Sequence, residues 1–568
     1  MRKFRRTGVL RYAPALTMLL FLGPVGAGLI GTWLPAFGIL PALGGTEFSL
    51  SAWHRLFAIP GLGSALRLSL TSGLLSSILA LVLVIGFVAS CSERKSFRVL
   101  RRFIAPLLAV PHVAVAIGLA FLIAPSGWLV RLISPWVTGW TTPPDVATVQ
   151  DPYGFALTLG LVIKEMPFLF LMTLAALHQT NAARRLAIAR SLGYAPVMAW
   201  IKIVLPAIYP QIRLPIYAVL AFSLSVVDMA MILAPTTPPP LAVLVLRLFN
   251  DPDLSQRFVA AACACLQFGV VAAALGLWRL CEVAIAKLAR PWLTDGRRGR
   301  SNGVSAPLFS FAASAVCGLG ILSILAMTLW SFARRWRYPD VLPSGVSLES
   351  WIRQSSSILN ATVNTLGIGL ASAAVATALV IACLENERRQ GVQTSARGLW
   401  LLYIPLLVPQ IGFLFGTQVL AVQLGLDGTW WALIWTHLLF VLPYVFLSLS
   451  DSYRSLDERY IRSALCLGAS PGRTFWRVKI PMLLRPILYA MAIGFAVSVA
   501  QYLPTLFAGG GRYVTLTTEA VSLAAGANRR VAGVFALLQA MLPMIAFGFA
   551  IAIPALLYRH RRGLRGIA

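Results

Sequence analysis

The chain alternates long apolar runs with short polar segments, many of them basic. A bilayer core needs about 20 mainly apolar residues per helix. Twelve runs meet that need: 13–33, 66–90, 103–125, 155–178, 208–234, 259–281, 307–333, 361–384, 399–422, 430–450, 485–507 and 534–558. They predict an all-α polytopic membrane protein. The first run follows MRKFRR and is long, with no Ala-x-Ala pattern after it, so a retained helix is expected rather than a cleaved signal.

Composition agrees. Of 568 residues, 58% are apolar and 12% charged, with a mean hydropathy of +0.79. Soluble domains carry about 25% charged residues. A soluble multidomain enzyme, a disordered chain and a fibre are therefore excluded. The net charge of +29 is a matter of loops. With the N-terminus in the cytoplasm, the inner segments are 1–12, 91–102, 179–207, 279–306, 385–398, 451–485 and 559–568. They hold 34 of the 48 Lys and Arg, as the positive-inside rule requires. No soluble basic domain presents a groove, so the basic loops face lipid and no nucleic-acid partner is expected. The run Arg334-Arg335-Trp336-Arg337 falls outside on this topology. It reads as an outer-surface docking patch, or as a sign that the helix before it is misplaced. The seven cysteines lie in apolar or inner segments, and no disulfide is expected.

Residues 287–306 are polar, basic and rich in Gly and Ser, which marks a linker between a unit at 1–286 and a unit at 307–568. Six helices in each give both halves the same orientation, hence parallel repeats. The repeat is visible in the residues. Residues 187–206 read AIARSLGYAPVMAWIKIVLP and residues 462–481 read RSALCLGASPGRTFWRVKIP. Gly193, Pro196, Lys202 and Pro206 pair with Gly468, Pro471, Arg477 and Pro481, all at an offset of 275. Phe222, Ser225 and Val226 pair with Phe495, Ser498 and Val499, Pro167-Phe168 with Pro443-Tyr444, and Gly73 and Ser76 with Gly369 and Ser372.

Each copy of the repeated loop lies between the fourth and fifth helices of its half, on the inner side. Gly permits a sharp turn, and Pro206 and Pro481 suit the start of the next helix. The stretch between is too short and polar to span a bilayer, and is expected to lie at the surface as a helix. This pattern resembles the E-A-A-x-x-x-G-x(9)-I-x-L-P loop of ATP-binding-cassette importer permeases. Ala189, Gly193, Ile203, Leu205 and Pro206 match it in the first copy, and Ala464, Gly468, Val478, Ile480 and Pro481 in the second. The chain as a whole resembles the fused two-unit permeases of the thiamine and ferric-iron group. The resemblance implies a bacterial inner-membrane subunit with both termini in the cytoplasm. Its partners would be a cytoplasmic ATPase dimer engaged by the two loops and a periplasmic solute-binding protein. The motif's leading acid is Ala187 in one copy and Arg462 in the other, with Asp457 and Glu458 near the second.

Lys164 and Glu165 in the fourth helix, and Asp228 with its repeat partner Gln501, are candidate pathway residues, because ionisable groups inside a bilayer usually face a cavity or a partner. Structural or gating roles are the alternative for each. Gly509-Gly510-Gly511 lacks the Gly-Lys-Ser/Thr of a phosphate loop and reads as a flexible outer turn. The five histidines show no metal-ligand spacing, and no catalytic set stands out, so neither a cofactor nor an enzymatic activity is expected. A twelve-helix transporter driven by an ion gradient would share the helix count, but has no reason to keep two matching loops. A polytopic membrane enzyme would gather His, Asp or Glu at one face.

Overall fold

The computed structural model describes residues 8–92, 94–299, 305–391, 396–526 and 528–559. The chain ends at 1–7 and 560–568, which the sequence analysis places in the cytoplasm, lie outside the described residues, as does linker segment 300–304. Twelve helices organise the fold. In the first half they are α1 (Ala13–Ala36), α2 (Leu62–Cys91), α3 (His112–Ile123), α4 (Phe155–Gln179), α5 (Leu205–Ser225) and α6 (Gln256–Thr294). The second half repeats them as α7 (Ser305–Phe332), α8 (Ser355–Gln390), α9 (Ile411–Gln423), α10 (Trp430–Arg454), α11 (Leu484–Val499) and α12 (Arg529–Leu557). Ten helices among the described residues are long and apolar enough to cross a membrane, and two bent pairs bring the number to twelve.

Four spans expected as single helices are broken. The run 103–125 is an amphipathic helix, Lys95–Ala109, that ends where Pro111 forces Val110 into extended backbone, and α3 starts afresh at His112. The run 399–422 bends by 95° between Leu407 and Ile411, next to Pro409. The run 208–234 stops at Ser225, and Val226 is extended before a short helix at Asp228–Leu233. The run 485–507 stops at Val499 before a short helix at Leu503–Gly509. Asp228 therefore begins a separate short helix and Gln501 lies in the break, rather than either sitting within a fifth helix. The linker is shorter than expected too, because α6 runs on through Thr294 and the linker starts at Asp295.

The halves are not self-contained. α1 packs along α9 of the second half, and α7 packs along α3 of the first. Small residues make both crossings close. A Cβ on Gly416 would collide with the Gly28 carbonyl, and one on Gly31 would stand 3.0 Å from the Gly416 Cα. At the other crossing a Cβ on Gly118 would collide with the Ser323 carbonyl. Gly118 and Gly416 each lie seven residues after the break-point prolines Pro111 and Pro409, so the duplication preserved this contact. Without a hydrophobic drive between helices in lipid, such close backbone approach is a main source of association.

The obstacle at both crossings is backbone, which does not yield as a side chain does. Gly416→Val and Gly118→Val are each expected to destabilise the protein by about 1–3 kcal/mol, the usual cost of overpacking. Gly276→Val, on α6 with open space around its Cα, should leave stability unchanged. Thermal midpoints in detergent, followed by size-exclusion chromatography, check this, and equal midpoints for all three would refute the close crossings.

Candidate coupling site

The two repeated loops have the same backbone. Each starts as a surface helix, Ala182–Ser191 in the first half and Glu458–Cys466 in the second. Each helix ends at a left-handed glycine, Gly193 at φ +84° and Gly468 at φ +85°. The closing hydrogen bonds also match. Gly193 N–H donates to Arg190 O and Tyr194 N–H to Ala189 O, while Gly468 N–H donates to Leu465 O and Ala469 N–H to Ala464 O. This pair of bonds satisfies the last carbonyls of each helix, and a Cβ at the turn is disfavoured by the positive φ.

After the turn, Pro196–Ala199 and Pro471–Thr474 begin new helices at the same offset. Each then opens into one wide turn, Trp200–Val204 and Phe475–Lys479, with the N–H of Leu205 reaching Trp200 O and that of Ile480 reaching Phe475 O. The cause is a proline two residues beyond each widened turn, whose i−4 residue, Lys202 or Arg477, lies within it. Pro206 and Pro481 lack the N–H and press on the carbonyl of residue i−4, which a wide turn relieves. The stretch between Gly and Pro is thus the loop-side end of the fifth span, continuous from Pro196 to Ser225 in the first half and bent by 71° at Leu483 in the second. The surface helix is the segment before the glycine, which corrects the expected placement. Ile203, Leu205, Val478, Ile480 and Pro481 are half-buried along the inner spans, and Pro206 is exposed.

Leu192 and Leu467, immediately before the glycines, are 56% and 87% exposed. These paired apolar tips were missed in the sequence; the signal was a Leu kept at an offset of 275 in a polar loop. The acids near the motif are occupied. Asp457 caps its helix by accepting from Arg459 N–H, and the Arg459 side chain hydrogen-bonded to it holds its carboxyl below the ordinary range. Glu458 pairs with Arg462 at 2.9 Å and Arg388 at 3.5 Å.

Each loop is locked to the helices by a buried lysine. Lys479 Nζ lies 2.5 Å from Glu385 on α8 and 4.0 Å from the Tyr453 ring centre, and Tyr453 donates to the same carboxylate at 2.7 Å. Lys202 Nζ lies 2.5 Å from Asp295, the first linker residue, and over the Trp292 ring. Ala195 N–H donates to Arg298 O, and Met198 packs against Gly299, so the linker lies along the first loop.

The polar candidates deeper in the membrane separate. Lys164 Nζ donates to the carbonyls of Leu107, Leu108 and Val110 at 3.3, 3.3 and 2.5 Å. It caps the helix broken before Pro111. Glu165 is buried and within electrostatic reach of Tyr444 on α10 of the other half. Asp228 is half-buried, accepts from Met229 N–H at 2.9 Å, and acts electrostatically on Tyr502 beside buried Gln501. Asp228 thus lies near the second break, where Gln501 sits, whereas Lys164 serves backbone.

The structure adds residues that the sequence reading passed over. Gln267 on α6 donates to Leu224 O at the end of α5. Gln539 on α12 donates at 2.7 Å to the Thr517 hydroxyl, which in turn donates to Val499 O at the end of α11. His437 bridges Ser498 and Thr505 at 2.7 and 3.0 Å, across the second break. A glutamine inside each sixth apolar run was the available signal.

Comparison with known proteins now bears on this arrangement. The family model described as binding-protein-dependent transport system inner membrane component matches residues 362–558. The inner membrane ABC transporter permease protein YnjC of Escherichia coli (strain K12) is 32% identical over 564 residues, 98% of this chain and 99% of its own length. The chain belongs to the family of ABC-transporter inner-membrane permeases. It is the permease subunit of an ABC importer, set in the inner membrane by many helices. The spermidine/putrescine permease PotC of the same strain is 24% identical over 177 residues, 31% of this chain and 66% of its own. That of Haemophilus influenzae is 24% identical over 172 residues, 30% and 66% of the two chains.

Removing Lys479 would leave the buried Glu385 carboxylate with Arg389, at 2.9 Å, as its remaining cation. Lys479→Met is expected to cost about 1.5–3 kcal/mol, the usual worth of a hydrogen bond to a charged group, because Arg389 remains to offset the carboxylate. Lys479→Met with Glu385→Gln should recover part of that loss. Thermal unfolding of the detergent-solubilised single and double variants measures both, and equal losses would show that Lys479 does not neutralise Glu385.

Proposed function

We propose that the two repeated loops are the contacts through which a pair of separate ATPase chains drives this permease. The observation that carries the reading is the loop geometry, a surface helix, a left-handed glycine, an exposed leucine and a wide turn, repeated at one offset in both halves. A rigid helix tipped by an apolar side chain suits a cleft on a partner, and its link to the inner end of the fifth span gives a mechanical path from that cleft to the breaks at Val226 and Gln501.

The face bearing the loops is then cytoplasmic, with both termini on that side, in keeping with the distribution of Lys and Arg. The opposite face receives a solute-binding protein. Solute passes between the halves, near Asp228, Gln501 and Glu165, and Lys164 supports the path by fixing the break before α3. ATP hydrolysis belongs to the partner chains. The transport cycle is a two-state equilibrium of the pore, biased from one side by ATP and from the other by the loaded binding protein.

Substituting Asp at the turns tests the assignment, since a side chain at φ above +80° strains the backbone. Gly193→Asp and Gly468→Asp are expected to leave membrane abundance unchanged, to abolish most ATP-dependent uptake, and together to lose the ATPase chain from a mild-detergent pull-down. Uptake at the unsubstituted rate in both single variants, at equal abundance, would sink the coupling assignment.

A further inference from the structure

A cavity of about 1530 Å³ opens on the face opposite the coupling loops. Its walls come from both halves: α3 and the segment after it, the short helix at Asp228–Leu233, the end of α7 with the loop that follows, and the start of α12. Five arginines line it, Arg131, Arg334, Arg335, Arg529 and Arg530. One carboxylate lines it, Glu349, and that is paired with Arg353. Among the described residues, none of the five arginines makes an ion pair with a carboxylate.

The arginines are held in place by other means. Arg131 is buried and donates to the carbonyls of Ser126, Arg337 and Asp340 at 2.9, 2.6 and 3.1 Å, which folds the loop after α7 over the cavity. Arg529 lies over the Trp330 ring at 5.4 Å, and Arg530 donates to Arg334 O at 2.8 Å. Arg334 and Arg335 are exposed. The run that sequence placed on the outer side against the charge rule is therefore one wall of a cationic basin. Asp340 acts electrostatically on Arg131, but one nearby acid does not balance five arginines; gathering like charges costs stability, and guanidinium forks match carboxylates in paired hydrogen bonds.

Two observations select the partner. The cavity exceeds the roughly 300–1,000 Å³ of a small-molecule pocket. The polar groups farther in do not continue a path for anions, because Asp228 and Glu165 are acids and the Lys164 cation is held by three backbone carbonyls. Arg257 at the start of α6 is the repeat counterpart of Arg529 at the start of α12, but the loop wall of the basin has no such counterpart. Residues 37–50, which follow α1 as 333–348 follow α7, form the same kind of bridged turn (Leu40 with Gly45, Ala333 with Val346) but contain no Lys or Arg.

The geometry points to a docking basin for an acidic surface of the solute-binding protein, with four of its five arginines on the second half and Arg131 on the first, a weighting that favours one orientation of that protein over the other. The inference rests on the importer reading above. Arginines at such a rim act chiefly on encounter and salt dependence.

The test uses the full chain with its ATPase chains in phosphatidylcholine nanodiscs and a fluorescent deca-glutamate peptide as probe. Peptide binding is expected, weakening about tenfold between about 50 and 300 mM salt. It should also weaken about tenfold or more in Arg334→Gln/Arg335→Gln, with basal ATP hydrolysis unchanged. The single variant Arg335→Gln, expected to show a smaller loss, covers the case in which the double variant misfolds. Unchanged peptide binding in a monodisperse variant would overturn the docking basin while leaving the importer reading intact. Absence of any ATPase association in the unsubstituted protein would overturn both. Displacement of the peptide by micromolar inorganic phosphate would assign the basin to a small anion. Loss of peptide binding on adding phosphatidylglycerol to the discs would assign it to lipid headgroups. Either outcome refutes a protein partner.

Discussion

A helix broken inside a bilayer leaves carbonyls that no water can satisfy. This chain breaks its helices repeatedly, and the arrangement depends on how the freed groups are met. Lys164 takes three carbonyls where the helix before Pro111 ends. Gln267 takes the Leu224 carbonyl at the end of α5, and Gln539 acts through Thr517 on the Val499 carbonyl at the end of α11. Each of these donors comes from a different helix than the one it caps. The breaks are therefore joints held by neighbours rather than points of failure, and they put Asp228 and Gln501 at corresponding places between the halves.

The exchange of first helices follows from the same economy of small residues and close backbones. α1 closes on α9 at Gly28, Gly31 and Gly416, and α7 closes on α3 at Gly118 and Ser323. Each half thus contributes a helix to the other's wall. A linker that only tethered two finished units would leave them free to separate. Here the crossings tie the halves within the membrane, and the linker from Asp295 to Gly299 is free to serve the loop it lies against.

Much of this was legible in the sequence. Run length gave the twelve spans, and the 275-residue offset located both loops, because a glycine that must be left-handed and a proline that must widen a turn leave residue-level marks. The break at Val226 was not legible, since the apolar pattern runs across it without a proline, whereas Pro504 in the first turn of the helix after Val499 was a mark of the second break; the glutamines and His437 supply the alternative partners. The helix exchange was hidden because hydropathy records burial in lipid or protein alike, and a glycine carries no label of the helix it will meet. The buried lysines were hidden for a related reason. Lys202 aligns with Arg477, yet the lysine that pairs inside the second half is Lys479, two residues on.

That shift shows where duplication ceased to constrain the chain. Backbone geometry had to be kept in both copies, because a surface helix, turn and wide turn work only at fixed spacing, and the backbone bonds that close the two glycine turns match residue for residue. Charge had no such requirement. A lysine can reach an acid from either of two positions at a helix end, so one loop is fastened to α8 through Glu385 and the other to the linker through Asp295. Buried pairs of this kind add little net stability over apolar packing, but breaking one is costly, so each is retained once formed. The same freedom let Arg334, Arg335 and Arg530 join Arg529 on the second half, where the first half keeps Arg257 at the start of α6 but no basic residue in 37–50. Fusion into one chain makes such asymmetry heritable, since the two halves always meet the same partner in the same order. On the proposed reading, a symmetric scaffold with unequal charges holds two like ATPase contacts on one face and a preferred orientation of an unlike partner on the other.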